Sequence, residues 1–226
     1  MARPDRREAN QIRALHCALG QLNRVDGSAQ LSSGKTSVLC GVYGPVDVKL
    51  YDEKLDRSQI EVKFRPDIGA PATKDKWVEN AIRSTFEREI LAQLHPRTLV
   101  QINIQLRESD GSVDSAAINA TTLALVDTGI PLKSMVAAAT CAVLADGSVV
   151  VDPTQEECER AASTHTLAFA NNDSAGPVYV DSRGQFTMEE YNKCYDLCAA
   201  TTERVVAFMR TAIEGRIEKE SQISAV

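Results

Sequence analysis

The stretch that most constrains the fold runs from Val100 to Gly129. Val100, Ile102, Ile104 and Leu106 alternate with Gln101, Asn103, Gln105 and Arg107, the period of a half-buried strand. Ser109-Asp110-Gly111-Ser112 follows, four residues that favour turns and helix N-caps. A segment dominated by Ala, Thr, Ile and Leu then runs to Gly129, with Pro131 beyond it as a helix stop. So many small residues predict a helix that packs closely on several sides. A helix start beside a Gly-containing turn presents free N–H groups and the positive end of a dipole, so the motif is a natural anion site. Whether this one binds an anion decides what the chain can do.

The rest of the chain reads as strands followed by helix, twice. Residues 1–10 are polar and charged, a flexible arm. Strands are expected at 12–17 and 29–31 around the turn Val25-Asp26-Gly27-Ser28, and at 37–43, ended by Gly44-Pro45. Gly34-Lys35-Thr36 ends like a phosphate loop, but position 29 is Ala where that loop needs Gly, so a hairpin turn is predicted. Gln59 to Arg65 alternates as a strand. A helix from about Asp75 buries Val78, Ile82, Phe86, Ile90 and Leu94, and Pro96 ends it. In the second half, 135–144 and 148–152 form a hairpin around Ala145-Asp146-Gly147. Leu167 and Phe169 lie in a strand, and Val178–Val180 and Gly184–Phe186 suggest another hairpin around Ser182-Arg183. Thr187 and Glu190 make a capping box that opens the longest helix, to about Lys219, with a frayed tail at 221–226. The expected organisation is one α/β domain over 1–226, with halves at 11–131 and 132–220.

Several function classes are disfavoured. The net charge of −6 argues against a protein that coats nucleic acid by itself, and 5% aromatic content offers no broad stacking platform. No apolar run reaches the ~20 residues of a membrane span, and Met1 to Glu8 lacks the apolar core of a signal peptide. The six cysteines form no CxxC pair and have no His at zinc-ligand spacing. Cys194 and Cys198, one turn apart, read as reduced, packed thiols. His16, His95 and His165 show no triad spacing, so structural roles are expected of them. No metal site is expected.

The motifs Gly27-Ser28-Ala29, Ser37 to Gly44, Leu94-His95-Pro96-Arg97-Thr98, Asp110-Gly111-Ser112, Ile118-Asn119-Ala120, Ala124 to Pro131 and Asp152-Pro153-Thr154 occur in one order across residues 11–215. On them the chain resembles the RNase PH superfamily, in particular its exosome ring subunits. The resemblance implies two β-sheets with packed helices (a ribosomal protein S5 domain 2-like fold) and a hexameric ring with other RNase PH-like subunits, or a homodimer in isolation. Active members use phosphate to attack the 3′-terminal phosphodiester of RNA, which needs cations and N–H groups for the nucleophile and carboxylates for a metal or proton.

Against that pattern three positions matter. Asp114 stands where the family's phosphate-clamping Arg is expected, a carboxylate that would repel phosphate; as a helix-dipole partner it has a structural reading. The family's two Asp residues six apart map to Asp152 and Cys158, with Glu157 and Glu159 flanking the second. A family Arg before the first long helix maps near Lys74, which keeps the charge without the bidentate fork. The resemblance thus implies a non-catalytic ring subunit that scaffolds 3′→5′ RNA processing in nucleus, nucleolus and cytoplasm, with no cofactor. Lys74, Lys76, Arg83, Arg97 and Arg107 are its candidates for single-stranded RNA contact. The rival is a residual phosphorolytic or metal-assisted nuclease built on Asp152 with Glu157 or Glu159 and Lys74, using phosphate or Mg²⁺.

Overall fold

The structure is a computed structural model that describes all residues except 1, 2, 4, 6, 50, 52, 172–175, 225 and 226. In chain order the elements are β1 (Leu15–Leu19), β2 (Gly27–Ser33), β3 (Thr36–Asp47), β4 (Gln59–Arg65), α1 (Thr73–Glu89), β5 (Thr98–Glu108), α2 (Val113–Thr128), β6 (Val136–Leu144), β7 (Val149–Val151), α3 (Gln155–Arg160), β8 (Ala161–Ala170), β9 (Tyr179–Gly184) and α4 (Met188–Ser224). They build two sheets, β1-β2-β3-β5-β4 and β7-β6-β8-β9. All pairs are antiparallel except β4 with β5.

The alternation that opens the sequence reading is β5. Val100, Ile102, Ile104 and Leu106 are buried, and the intervening polar residues are half-exposed or exposed. Helix α2 follows and packs against β2 and β3 of the first sheet and β6 of the second. Every residue from Ser115 to Leu125 is buried, which small side chains permit and an amphipathic helix would not. Thr121 and Thr122 bury their hydroxyls by donating to the carbonyls of Ala117 and Ile118 one turn back. Gly129 ends the helix in a left-handed conformation, its N–H bonded to Val126 O.

One side chain joins α2 to the second sheet. Asn119 donates through Nδ2 to Ala138 O at 2.9 Å, and Ala138 N–H donates to Asn119 Oδ1 at 2.8 Å. Strand β7 pairs with β6 only at residues 141–143, so at Ala138 the amide of Asn119 takes the place of a neighbouring strand. The Thr122 hydroxyl adds a bond to Val136 O at 2.7 Å.

The structure differs from the sequence reading at several elements. Strand β3 does not stop at Gly44-Pro45; a register shift between Tyr43 and Val46 absorbs the pair, and Val46 resumes pairing with Leu99. Helix α1 ends at Glu89, before Pro96, because the next backbone groups bond elsewhere: Leu91 N–H to Pro131 O, and Ser58 N–H to Ala92 O. Leu94, expected on the buried face, is 61% exposed. No hairpin forms around Ser182-Arg183; the segment is the single edge strand β9, in register with Thr164 and His165 of β8. The expected loop at 171–176 lies outside the described residues from 172 to 175. Helix α4 runs on through the supposed tail to Ser224, and residues 225 and 226 lie outside the description. Among the described residues no helix is long and apolar enough to cross a membrane.

Asn119→Ala is expected to strand two buried backbone groups of Ala138 and to cost about 2–4 kcal/mol of stability. Urea unfolding checks this, and a loss below about 0.5 kcal/mol would show that the clamp is dispensable.

Candidate functional site: the turn before α2 and its cleft

The site is built where the β5–α2 turn meets the end of β7. Gly111 and Ser112 both lie in the left-handed region, at φ 77° and 52°. A Cβ on Gly111 would stand 2.5 Å from Pro153 O and 2.7 Å from the Thr154 carbonyl carbon, so the 153–155 backbone is seated directly on the turn. The Ser112 hydroxyl donates to Pro153 O at 3.0 Å. The helix start is therefore covered by the protein's own chain.

Asp152 sits at the end of β7 with φ 50° and is 8% exposed. Both of its carboxylate oxygens are engaged. Arg13 donates from Nη2 to Oδ1 at 2.6 Å and from Nε to Oδ2 at 2.9 Å, and its backbone N–H also reaches Oδ2 at 3.0 Å. The Ser33 hydroxyl adds a fourth bond at 3.0 Å. Arg13, itself 6% exposed, also donates to Thr36 Oγ1, Asp110 O and Gly111 O. Burial pushes the Asp152 pKa up, but the hydrogen bonds and charge of Arg13 outweigh it and hold the carboxyl below its ordinary value.

Glu157 is equally occupied. Arg3 forks onto it at 2.8 and 2.9 Å, and Glu157 accepts the Thr154 N–H at 2.9 Å as half of a capping box that opens α3. Burial raises its pKa, and Arg3 and the cap bring it below the usual range. Arg3 is 7% exposed and also donates to Val151 O and Asp152 O. The expectation of a flexible arm over 1–10 is thus corrected at Arg3, whose guanidinium is pinned by two acceptor segments. Cys158 is half-buried, and burial raises its thiol pKa so that it stays protonated. Glu159 is exposed and accepts from Gln155 at 2.9 Å.

Beside this assembly opens a cleft of about 720 Å³, lined among others by Lys74, Trp77, Ser112, Asp114, Cys158 and Arg183. Asp152 does not line it; it borders a separate space of about 30 Å³ with Ser33, Asn119 and Thr140. Arg183 on β9 pairs with Asp181 at 2.7 Å and with Asp114 at 3.4 Å, so its charge is met by two carboxylates. Burial lifts the Asp114 pKa; Arg183 opposes the rise and Asp181 adds to it. Asp67, Asp75, Asp114 and Asp181 outnumber Lys74 and Arg183 along the walls. Four carboxylates against two cations give the cleft walls a formal negative charge beside a helix start, which would otherwise favour an anion.

The five basic candidates do not form one patch. Lys74 lines the cleft, and Lys76 is exposed on the same helix, about 200° around from Lys74. Arg83 lies farther along α1, bonded to Asn80. Arg97 pairs with Glu53 at 3.3 Å before β5 begins, and Arg107 reaches Gln30 at 3.4 Å near the strand's other end, about 33 Å away. Cys194 and Cys198 are buried free thiols, with Cys141 Sγ 3.0 Å from Cys198 Sγ. His16 and His165 lie in strands β1 and β8, and His95 in the turn before β5. Among the described residues no group of three or more His, Cys, Asp or Glu is arranged to hold a metal ion.

The same turn, strand and helix order is found in known proteins. Residues 11–131 match the model of domain 1 of the 3′ exoribonuclease family, RNase PH, and residues 134–200 match its domain 2. The chain belongs to the RNase PH family. It is 32% identical to the rice exosome complex exonuclease RRP46 homolog over 94% of this chain and 96% of that one. Against the exosome complex component RRP46 of Saccharomyces cerevisiae it is 33% identical, over 90% and 97% of the two chains. The crystal structure of rice Rrp46 superposes with a TM-score of 0.90 at 34% identity, covering 94% of this chain and all of that one. An archaeal exosome core matches at a TM-score of 0.80 with 17% identity, a likeness of fold.

Arg3, Arg13 and Arg183 are the site residues that the sequence reading missed. The Thr154-x-x-Glu157 spacing was a legible capping signal; Arg13 had none, because its partners lie 23 to 139 residues away.

Asp152→Asn is expected to lower stability at neutral pH by about 3–5 kcal/mol, since it leaves the buried Arg13 charge without a partner. The Asp152 pKa is depressed on folding, so its contribution is complete above the ordinary value of 3.8 and lost as pH falls through the lower folded value. Denaturant unfolding of both proteins from pH 7 down should show the gap closing below about pH 4. A gap independent of pH would contradict this.

Proposed function

We propose that this chain is a non-catalytic RNase PH-like subunit of the RNA exosome core ring, supporting 3′→5′ RNA processing and degradation by scaffolding. Asp152 carries the reading. It occupies the position of the family's first active-site carboxylate, yet Arg13 and Ser33 use both of its oxygens and it does not line the cleft. Asp114 in place of the phosphate-clamping Arg, and Cys158 in place of the second Asp, remove the rest of the chemistry. What remains is the scaffold. Its partners are the other RNase PH-like subunits of a hexameric ring, with homodimers forming when it is alone. Single-stranded RNA passes through the ring, with Lys74, Lys76, Arg83, Arg97 and Arg107 as its candidate contacts. The sites of action are nucleus, nucleolus and cytoplasm, where ribosomal RNA is matured and messenger RNA turned over.

A second reading is a residual nuclease, favoured by one observation: the rice and Arabidopsis relatives both carry the word exonuclease in their names. Under it Asp152, Glu157 or Glu159 and Lys74 would act with phosphate or Mg²⁺.

An end-labelled single-stranded RNA incubated with the purified chain, with and without phosphate, separates the two. No stepwise 3′ shortening is expected under either condition, and mixing with an RNase PH-like partner should give a hetero-oligomer by native mass measurement. Phosphate-dependent shortening by the parent chain would establish the enzyme instead.

A further inference from the structure

Strand β6 is buried on both faces. On one face Asn119 of α2 clamps Ala138. On the other, Ala139, Cys141 and Val143 build a second, smaller core with Val151, Leu167, Cys194 and Cys198. Thiols supply three of these seven buried side chains, and they come from both sides of the contact. Cys141 projects from the strand, Cys194 and Cys198 from successive turns of α4.

Cys141 and Cys198 touch through their sulfurs. The two Sγ atoms are 3.0 Å apart, and Cys198 Sγ also lies 3.7 Å from Ala139 O. Both side chains are fully buried. A disulfide holds its sulfurs at about 2.05 Å, so closing the bond needs a shift of about 1 Å between helix and strand. The contact with Cys198, with burial, keeps the Cys141 thiol well above its ordinary pKa, and burial pushes Cys194 up to about 12. Protonated thiols sealed from water are poor nucleophiles, so the pair stays reduced until α4 lifts and an oxidant enters.

The pair lies directly behind Asp152. Cys141 is in register with Val151 of β7, the residue before Asp152, and Asp152 N–H donates to Thr140 O at 2.8 Å. Thr201, one turn beyond Cys198, borders the same small space as Asp152 and Thr140. A covalent bond here would join α4 to the strands that carry the buried carboxylate.

We propose that Cys141 and Cys198 are an oxidation-sensitive pair that closes to a disulfide and fixes α4 on β6 behind Asp152. Hydrogen peroxide is the oxidant small enough for such a site. One thiolate attacks a peroxide oxygen, the O–O bond breaks, and the departing hydroxide takes up the thiol proton as water. The second thiolate attacks the sulfenic sulfur, the S–S bond forms, and the S–O bond breaks with loss of a second water. Two thiols and one peroxide thus give one disulfide and two waters. The bond joins residues 57 apart, and closing that loop restricts the unfolded chain more than the folded one.

The test treats the full chain with hydrogen peroxide under native conditions, then unfolds it, alkylates the remaining thiols and maps the peptides without reduction. A bond between Cys141 and Cys198 in a monomer is expected, with an unfolding temperature raised by about 5–10 °C and restored by dithiothreitol. Cys198→Ala should abolish the bond and the gain, whereas Cys194→Ala should keep both. The parent's own peptide map decides the matter even where a variant folds poorly. Oxidation confined to the half-buried Cys17 and Cys158, with Cys141 and Cys198 recovered as alkylated thiols, would overturn the proposal. A bond through Cys194 in place of Cys198 would overturn it as well. So would a Cys141–Cys198 bond that leaves the unfolding temperature unchanged, since α4 would not then be fixed by it.

Discussion

The buried pair of Arg13 and Asp152 is the interaction on which the site depends. One guanidinium ties the segment before β1 to the β2–β3 hairpin through Thr36, to the β5–α2 turn through Asp110 and Gly111, and to the end of β7 through Asp152. Two ions removed from water attract each other strongly but lose hydration, so such a pair persists only when its remaining donors and acceptors are also met. Here they are, by two carbonyls, two hydroxyls and a backbone N–H. Arg3 and Glu157 repeat the arrangement one turn away and seat α3 over the helix start. Asp152 accepts four hydrogen bonds in this arrangement, three of them from Arg13.

Much of the fold was legible because its signals are local. The alternation of β5 and β4, the small-residue helix α2 with its Gly129 stop, and the Thr187–Glu190 box opening α4 rest on side chains within a few residues of one another. The misreadings share the opposite cause. Helix α1 stopped early because backbone groups of 89–92 bond to residues 58, 131 and 133. Strand β9 is polar, and its place is set by pairing with β8 and by the bond of Ser182 Oγ with His165 Nδ1 at 2.9 Å, which no local pattern announces. The site divides in the same way. The reversed charge at Asp114 and the thiol at Cys158 could be read from the chain, whereas Arg13, Arg3 and Arg183 become site residues only when distant segments meet.

The covered helix start answers the question that the sequence posed. A turn of this kind attracts anions through free N–H groups and the helix dipole. In this chain the Pro153-Thr154 backbone is seated on Gly111, the Ser112 hydroxyl is bonded to Pro153 O, and Asp114 introduces negative charge at the first turn. Arg183, the cation nearest that carboxylate, is shared with Asp181. The chain shares its scaffold with the rice and yeast relatives, and that scaffold rests on α2, Asn119 and the sheets rather than on the charge of the turn.

The central claim is that the helix start no longer binds phosphate. Isothermal titration of the purified chain with inorganic phosphate, matched against sulfate and chloride at equal ionic strength, tests it most directly. The account predicts no saturable heat for phosphate beyond that of the other anions. A saturable phosphate site that Lys74→Ala abolishes would contradict it and return the cleft to phosphorolysis.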